Sequence, residues 1–219
     1  IEAKNGLNIV TTIDSDAQKL TEDIIANYQK NEGAQNVGII VMNPNNGEIY
    51  VMASNKGYDL NNPRDLTPYF KQSEIDAMNE DKKLEELSRI WKNYCTSDIF
   101  EPGSTFKPFT VAACLEKNVI KQNDTFYCDG FEDVMDRRIR CVKRDGHGMI
   151  SLSKSLEQSC NDVMMQIVRK LGRKDFARYQ NLFGIGSRTG IDYPGETTGL
   201  AYNEEQLNPV ELATSSFGQ

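Results

Sequence analysis

The sequence predicts an α+β fold, an antiparallel sheet packed with helices, and three observations predict it. Two β-rich runs, Gly38 to Met42 and Gly47 to Ser54, flank the turn cluster Asn43-Pro44-Asn45-Asn46-Gly47, which reads as a hairpin. Asp14 precedes a stretch in which Leu20, Ile24 and Ile25 share one helical face. Pro102-Gly103 is a turn signal before the mostly apolar run Phe109 to Leu115, which reads as a second helix.

In chain order, residues 7–13 alternate Leu, Ile and Ile with polar partners and predict an edge or half-buried strand. Asp14 is the N-cap of a helix from Ala17 to Lys30. Val37 to Met42 is nearly all apolar, as a covered central strand would be. Residues 55–72, rich in Asn, Pro, Asp and Lys, read as a long loop. Residues 73–93 carry Ile75, Met78, Leu84, Leu87 and Ile90 among charges and predict one amphipathic helix covering the core. Lys121 to Asp145 is polar, flanked by cysteines and without a helical stripe, so it reads as irregular. Its Arg137-Arg138 and Lys143-Arg144 pairs form a local basic patch, most simply a solvated face, alternatively a contact for an anionic polymer. Met164 to Leu171 gives a short helix ending near Gly172.

The 219 residues suffice for one large domain or two small ones, and 38% hydrophobic with 26% charged residues fits a globular chain with a core. A net charge of −7 without a basic or aromatic stripe argues against nucleic-acid binding. The apolar runs, Ile39 to Met42 and Val111 to Leu115 among them, are far short of the roughly 20 residues that span a bilayer. The chain opens Ile1-Glu2-Ala3-Lys4, without a start methionine.

The chemistry concentrates in Glu101-Pro102-Gly103-Ser104-Thr105-Phe106-Lys107-Pro108. Ser104 and Lys107 are spaced i and i+3, so a helix starting here sets a hydroxyl beside an amine at its positive end. A serine becomes a nucleophile when a neighbouring base takes its proton, and a lysine serves when burial lowers its pKa. The plain reading of any such pair is a helix cap with a solvated lysine, and Ser151 with Lys154 fits that reading. A second motif, Ser159-Cys160-Asn161, is the only Ser-x-Asn in the chain, and together the two change the odds. His147, in Gly146-His147-Gly148, is the only histidine, so it alone could serve a Ser-His-Asp triad; a turn with a structural hydrogen bond is the better reading. The five cysteines, Cys95, Cys114, Cys128, Cys141 and Cys160, show no metal-ligand or Cys-x-x-Cys spacing, so neither metal nor cofactor is expected. Cys114 reads as a core residue. Cys128 and Cys141 flank a loop and either form a disulfide in an oxidising compartment or stay free; Cys160, between two site residues, is redox-sensitive or a buried inert thiol.

Across most of its length the chain resembles the transpeptidase domain of class B penicillin-binding proteins. The resemblance rests on Leu7 to Asp14 with Gln18 and Glu22, the hairpin runs, and Trp91-Lys92-Asn93 leading to Glu101-Pro102-Gly103-Ser104. Gly146-His147-Gly148, Phe183-Gly184-Ile185-Gly186, Thr189-Gly190-Ile191-Asp192, Pro194-Gly195-Glu196 and Ser215 to Gln219 follow in family order. The cysteines and the Gly-His-Gly turn are most like sporulation- and division-type members. The resemblance implies the penicillin-binding transpeptidase or serine β-lactamase-like fold. It also implies a peptidoglycan D,D-transpeptidase with Ser104 as nucleophile and Lys107 as its base, Ser159 relaying a proton, and Asn161 orienting Lys107 and the substrate amide. Its partners would be stem peptides, β-lactams and a cell-wall synthesis complex, and its parent a protein with a single membrane anchor and an extracytoplasmic catalytic domain.

One departure stands out. The family's third motif, Lys-[Ser/Thr]-Gly, is absent, and Arg188-Thr189-Gly190 only imitates it, too soon after Ser159-Cys160-Asn161. Residues 1–219 are therefore expected to be a partial, C-terminally truncated transpeptidase domain, whose own acylation is open. Two alternatives remain at this point: a serine β-lactamase or β-lactam sensor on the same fold, which would need fast deacylation or a signalling partner, and a catalytically incomplete structural module of a cell-wall complex.

Overall fold

A computed structural model of the protein describes residues 6–219. The chain forms two compact units, one running to Asp98 and including Tyr193–Thr197, the other made of Ile99–Asp192 and Thr198–Gln219.

The first unit opens with residues that are extended but unpaired as a strand: 6–14 have no regular structure, and Leu7, Ile9 and Val10 are exposed. Only the end of this segment docks, through Thr12 Oγ1 donating to the Ile49 carbonyl at 2.6 Å and the Asp14 N–H donating to the Tyr50 carbonyl at 2.9 Å. Asp14 caps helix α1 (Ser15–Glu32) as expected, its carboxylate accepting from the N–H groups of Asp16 and Ala17. Of the apolar face only Ile25 is buried; Leu20 and Ile24 are exposed.

The hairpin is present as antiparallel β1 (Gly38–Met42) and β2 (Ile49–Ser54), in register Ile39↔Ala53 and Val41↔Val51. The covered strand is β2, whose Val51 and Ala53 pack with Ile25, and not β1, whose Ile40, Val41 and Met42 are exposed. In a two-stranded sheet β1 has no second neighbour among the described residues. The predicted single helix over 73–93 divides into α2 (Gln72–Ala77) and α3 (Glu80–Trp91). The break falls where Asn79 adopts extended backbone and caps α3, its side chain accepting from Lys82 N–H. Leu87 and Ile90 bury against Leu66 from the preceding loop, and α4 (Tyr94–Ser97) closes the unit.

The second unit holds the larger core. Its central element is α7 (Asn161–Leu171), longer than expected, with Val163, Met164 and Ile167 wholly buried. Around it pack α5 (Lys107–Glu116), α8 (Arg173–Leu182) and α9 (Pro209–Ser215). Lys121 to Asp145 is not irregular. It forms β3 (Thr125–Cys128), β4 (Phe131–Val134) and β5 (Arg137–Arg140), and β6 (Gly148–Ser151) returns to pair with β3. These strands are only four residues long and carry charge on their open faces, so alternation is hard to read. The β4–β5 register places Arg138 opposite Asp133, with the two side chains ion-paired, so part of the basic patch is neutralised within the sheet. Ser151 caps α6 (Leu152–Glu157) and Lys154 pairs with Glu157 on the exposed face, in keeping with the plain reading of that Ser-x-x-Lys pair.

Candidate active site

Ser104 and Lys107 lie where two helix types meet. Ser104 sits in a 3-10 turn (Gly103–Phe106), and Lys107 is the first residue of α5, so the serine precedes the α-helix instead of occupying its first turn. The tighter turn still brings positions i and i+3 onto one face. The Gly103 N–H donates to the Gly218 carbonyl at 3.0 Å and the Thr110 hydroxyl to the Ser216 carbonyl at 2.8 Å, stitching this turn to the segment after α9. Phe106 anchors it from below, edge-on to Phe176.

Ser104 is exposed, whereas Lys107 is only 1% exposed. Its Nζ donates to the Ser159 carbonyl at 2.6 Å and to Ser159 Oγ at 2.8 Å, and Ser159 Oγ lies 2.7 Å from Ser104 Oγ. The lysine thus reaches the candidate nucleophile through Ser159. Burial pushes the Lys107 pKa below the ordinary lysine range, the nearby Cys141 and Cys160 acting in the opposite sense.

Ser159 leaves the end of α6 with φ 53°, a left-handed conformation uncommon for a residue with a Cβ. The next residue, Cys160, donates its N–H to the Ser155 carbonyl at 2.8 Å, and its Sγ accepts from Val163 N–H as the N-cap of α7. Asn161 is the first residue of α7, and among the described residues its side chain makes no hydrogen bond to Lys107. Among the described residues, the hydrogen bonds that orient the lysine come from Ser159. Arg188-Thr189-Gly190 follows α8 in a segment that is neither helix nor strand.

The cysteines and His147 behave differently from their sequence reading. All five thiols are free, Cys128 and Cys141 included. No metal spacing is visible in the chain, yet the fold gathers the ligand atoms of Cys128, Cys141, His147 and Cys160 within 4.8 Å of one another. They come from the end of β3, the two ends of the β5–β6 connection, and the α7 cap, so no short motif contains them. A signal did exist: Cys128 and His147 are 19 positions apart, as are Cys141 and Cys160, a pattern legible only once β3 and β6 are known to pair.

Solved structures share this architecture. A protein from Atopobium parvulum is 30% identical with a TM-score of 0.79, over all of this chain and 47% of that one. Pseudomonas aeruginosa PBP2, solved in complex with WCK 5153, is 24% identical with a TM-score of 0.77, over 96% of this chain and 47% of that one. The mixed helix-and-sheet class is therefore the penicillin-binding transpeptidase fold. Residues 37–219 match the penicillin binding protein transpeptidase domain, and the chain belongs to that family. Stage V sporulation protein D of Bacillus subtilis is 35% identical over 217 residues, 99% of this chain and 31% of the relative. Peptidoglycan D,D-transpeptidase MrdA of Escherichia coli is 26% identical over 196 residues, 89% of this chain and 29% of the relative. The chain spans about a third of the length of these curated relatives.

Proposed function

We propose that Ser104 is the nucleophile of a peptidoglycan D,D-transpeptidase that cross-links stem peptides through a serine acyl-enzyme and is acylated by penicillin. The observation that carries this reading is the chain of short contacts from Lys107 through Ser159 to Ser104, which begins on a buried amine and ends on an exposed hydroxyl. With Lys107 neutral, the Ser104 proton passes to Ser159 Oγ as the Ser159 proton passes to Lys107 Nζ. Ser104 Oγ bonds to the penultimate D-Ala carbonyl carbon. The carbon–nitrogen bond then breaks, and the terminal D-Ala leaves with the proton returned along the same relay. An amine of a second strand attacks the ester, gives up its proton, and frees Ser104. A β-lactam enters the first half of this sequence and stops at the ester. Asn161, at the mouth of α7, contacts the substrate amide.

In this reading residues 1–219 are part of a transpeptidase domain whose Lys-[Ser/Thr]-Gly element lies elsewhere in the protein, and the domain works outside a membrane-anchored parent's bilayer within a cell-wall synthesis complex. No helix of the described residues is long and apolar enough to cross a membrane. The test is intact mass and peptide mapping of the full-length protein after incubation with benzylpenicillin. An adduct on Ser104 that disappears in Ser104→Ala is expected; an adduct that persists in that variant overturns the assignment.

A further inference from the structure

We propose that Cys128, Cys141, His147 and Cys160 form a tetrahedral site for a structural zinc ion, built into the segment that carries Ser159 and Asn161. The four side chains meet through their ligand atoms. Cys128 Sγ is 3.4 Å from His147 Nδ1, Cys141 Sγ is 3.7 Å from the same nitrogen, and Cys141 Sγ is 3.7 Å from Cys160 Sγ. A zinc ion with Zn–S of about 2.3 Å and Zn–N of about 2.0–2.1 Å sets its ligands roughly 3.5–3.8 Å apart along the edges of a tetrahedron. These three spacings are close to those edges, and all four ligand atoms lie within 4.8 Å of one another. The spacings are far longer than the ~2.04 Å of a disulfide.

The cluster is shielded from solvent. Cys128, Cys141 and Cys160 are buried, 1%, 4% and 0% exposed, and His147 is half-buried. The Val163 N–H donates to the Cys160 sulfur at 3.5 Å, an acceptor that is weak as a thiol and much stronger as a thiolate. Asp162, 1% exposed and next in line after Asn161, holds a carboxylate oxygen without a hydrogen-bond partner among the described residues. The backbone is shaped for the cluster too. Gly130 and Gly146 both have left-handed φ, 101° and 77°, and a Cβ on either would fall 2.2–2.3 Å from a carbonyl oxygen, at Gly146 that of Cys128 itself.

Three thiolates and one imidazole favour zinc over the hard cations, and four protein ligands leave no open position, as in structural rather than catalytic sites. Binding releases three thiol protons, keeps His147 neutral with Nδ1 on the metal, and leaves the centre with one net negative charge. The alternative use of these sulfurs, oxidation of Cys141 and Cys160 to a disulfide, consumes two of the four groups and leaves Cys128 and His147 without a role. Because Cys160 is flanked by Ser159 and Asn161, the metal also fixes the strained backbone that aims Ser159 at Lys107 and Ser104; this consequence rests on the transpeptidase reading, whereas the metal site does not.

The test is metal content of the full-length protein purified under reducing conditions, by elemental analysis and by cobalt substitution. One zinc per chain, and a cobalt spectrum with thiolate charge-transfer and intense tetrahedral bands, are expected. Cys95→Ser, outside the cluster, keeps both, and Cys128→Ser or His147→Ala lowers the affinity by at least 10-fold while circular dichroism verifies folding. Chelated protein is expected to acylate with penicillin more slowly than reloaded protein; equal rates would remove the link to Ser159 and leave the site. Well under one metal per chain after zinc loading, a cobalt spectrum lacking thiolate bands, or a Cys141–Cys160 disulfide in the reduced preparation would overturn the site itself.

Discussion

At the scale of single residues the site depends on one backbone angle and one buried amine. Ser159 holds φ 53°, a conformation that costs a residue with a Cβ about 1–2 kcal/mol. Glycine at this position relieves that cost, offset by roughly 0.5–1 kcal/mol of extra freedom in the unfolded chain. Ser159→Gly also removes the hydroxyl that accepts from buried Lys107, a loss of about 1–3 kcal/mol, so Tm should hold or fall slightly while penicillin acylation slows roughly 10²- to 10⁴-fold if Ser159 relays the proton. A variant with unchanged acylation would remove Ser159 from the mechanism. The second residue is Lys107, whose pKa burial lowers and the Cys141 and Cys160 sulfurs partly restore. Only the neutral amine accepts a proton, so its active fraction grows as pH rises through this lowered pKa and is lost as pH falls below it. The acylation rate constant should accordingly climb with pH and level off before the range where an ordinary lysine titrates. A profile that is flat across this span, measured with benzylpenicillin, would show that Lys107 is not the base.

At the scale of elements, the signals that worked were local ones. Asp14 was legible as a cap because an Asx side chain before a helical stripe has one common use, and its carboxylate accepts from two N–H groups at 3.0 and 2.9 Å. Asp14→Ala should cost about 1 kcal/mol in denaturant unfolding, and no change would mean that α1 holds through Ile25 alone. The candidate site residues Ser104, Lys107 and Ser159 are carried by two short motifs, and the fold brings those motifs together. What failed was long-range. Residues 7–13 have the alternation of a strand, but only Thr12 and Asp14 find partners on β2. The residues 73–93 keep one apolar stripe through the break at Asn79, where a side-chain cap outweighs helical continuity. Strands β3 to β5 are too short for a period of two to stand out, and with them went the cysteine–histidine cluster, whose ligands meet only through the β3–β6 pairing. The chain of contacts through Ser159 was legible in its members and not in its order, because spacing says that Ser104 and Lys107 share a face and nothing of what stands between them.

At the scale of the whole molecule, burial is uneven, and stability should follow it. The first unit has two small clusters, Ile25 with Val51 and Ala53, and Leu66 with Leu87 and Ile90. The second has one continuous core in which Val163, Met164 and Ile167 of α7 are wholly buried and Phe106, Cys114, Ile150, Phe176 and Phe217 close around them. Removing a side chain at Ile167 leaves a cavity with no solvent route, so Ile167→Ala should cost about 2–5 kcal/mol, whereas Leu84→Ala, at 53% exposed, should stay within about 0.5 kcal/mol. Amide exchange reports the same gradient without mutation. Protection rises with the number of apolar contacts that must open together. The amides of α7 should exchange last, those of β2 earlier, and those of residues 6–11, which make no backbone hydrogen bonds within regular structure, first. The order matters to the site, because Ser159 and Cys160 lead directly into α7 and inherit its rigidity. Hydrogen exchange read by mass spectrometry on the full-length protein decides it: α7 slowest places the relay on the most stable element of the chain, and α7 exchanging as fast as β2 would mean that its packed core opens as readily as a two-stranded sheet and cannot be what holds Ser159 in its left-handed turn.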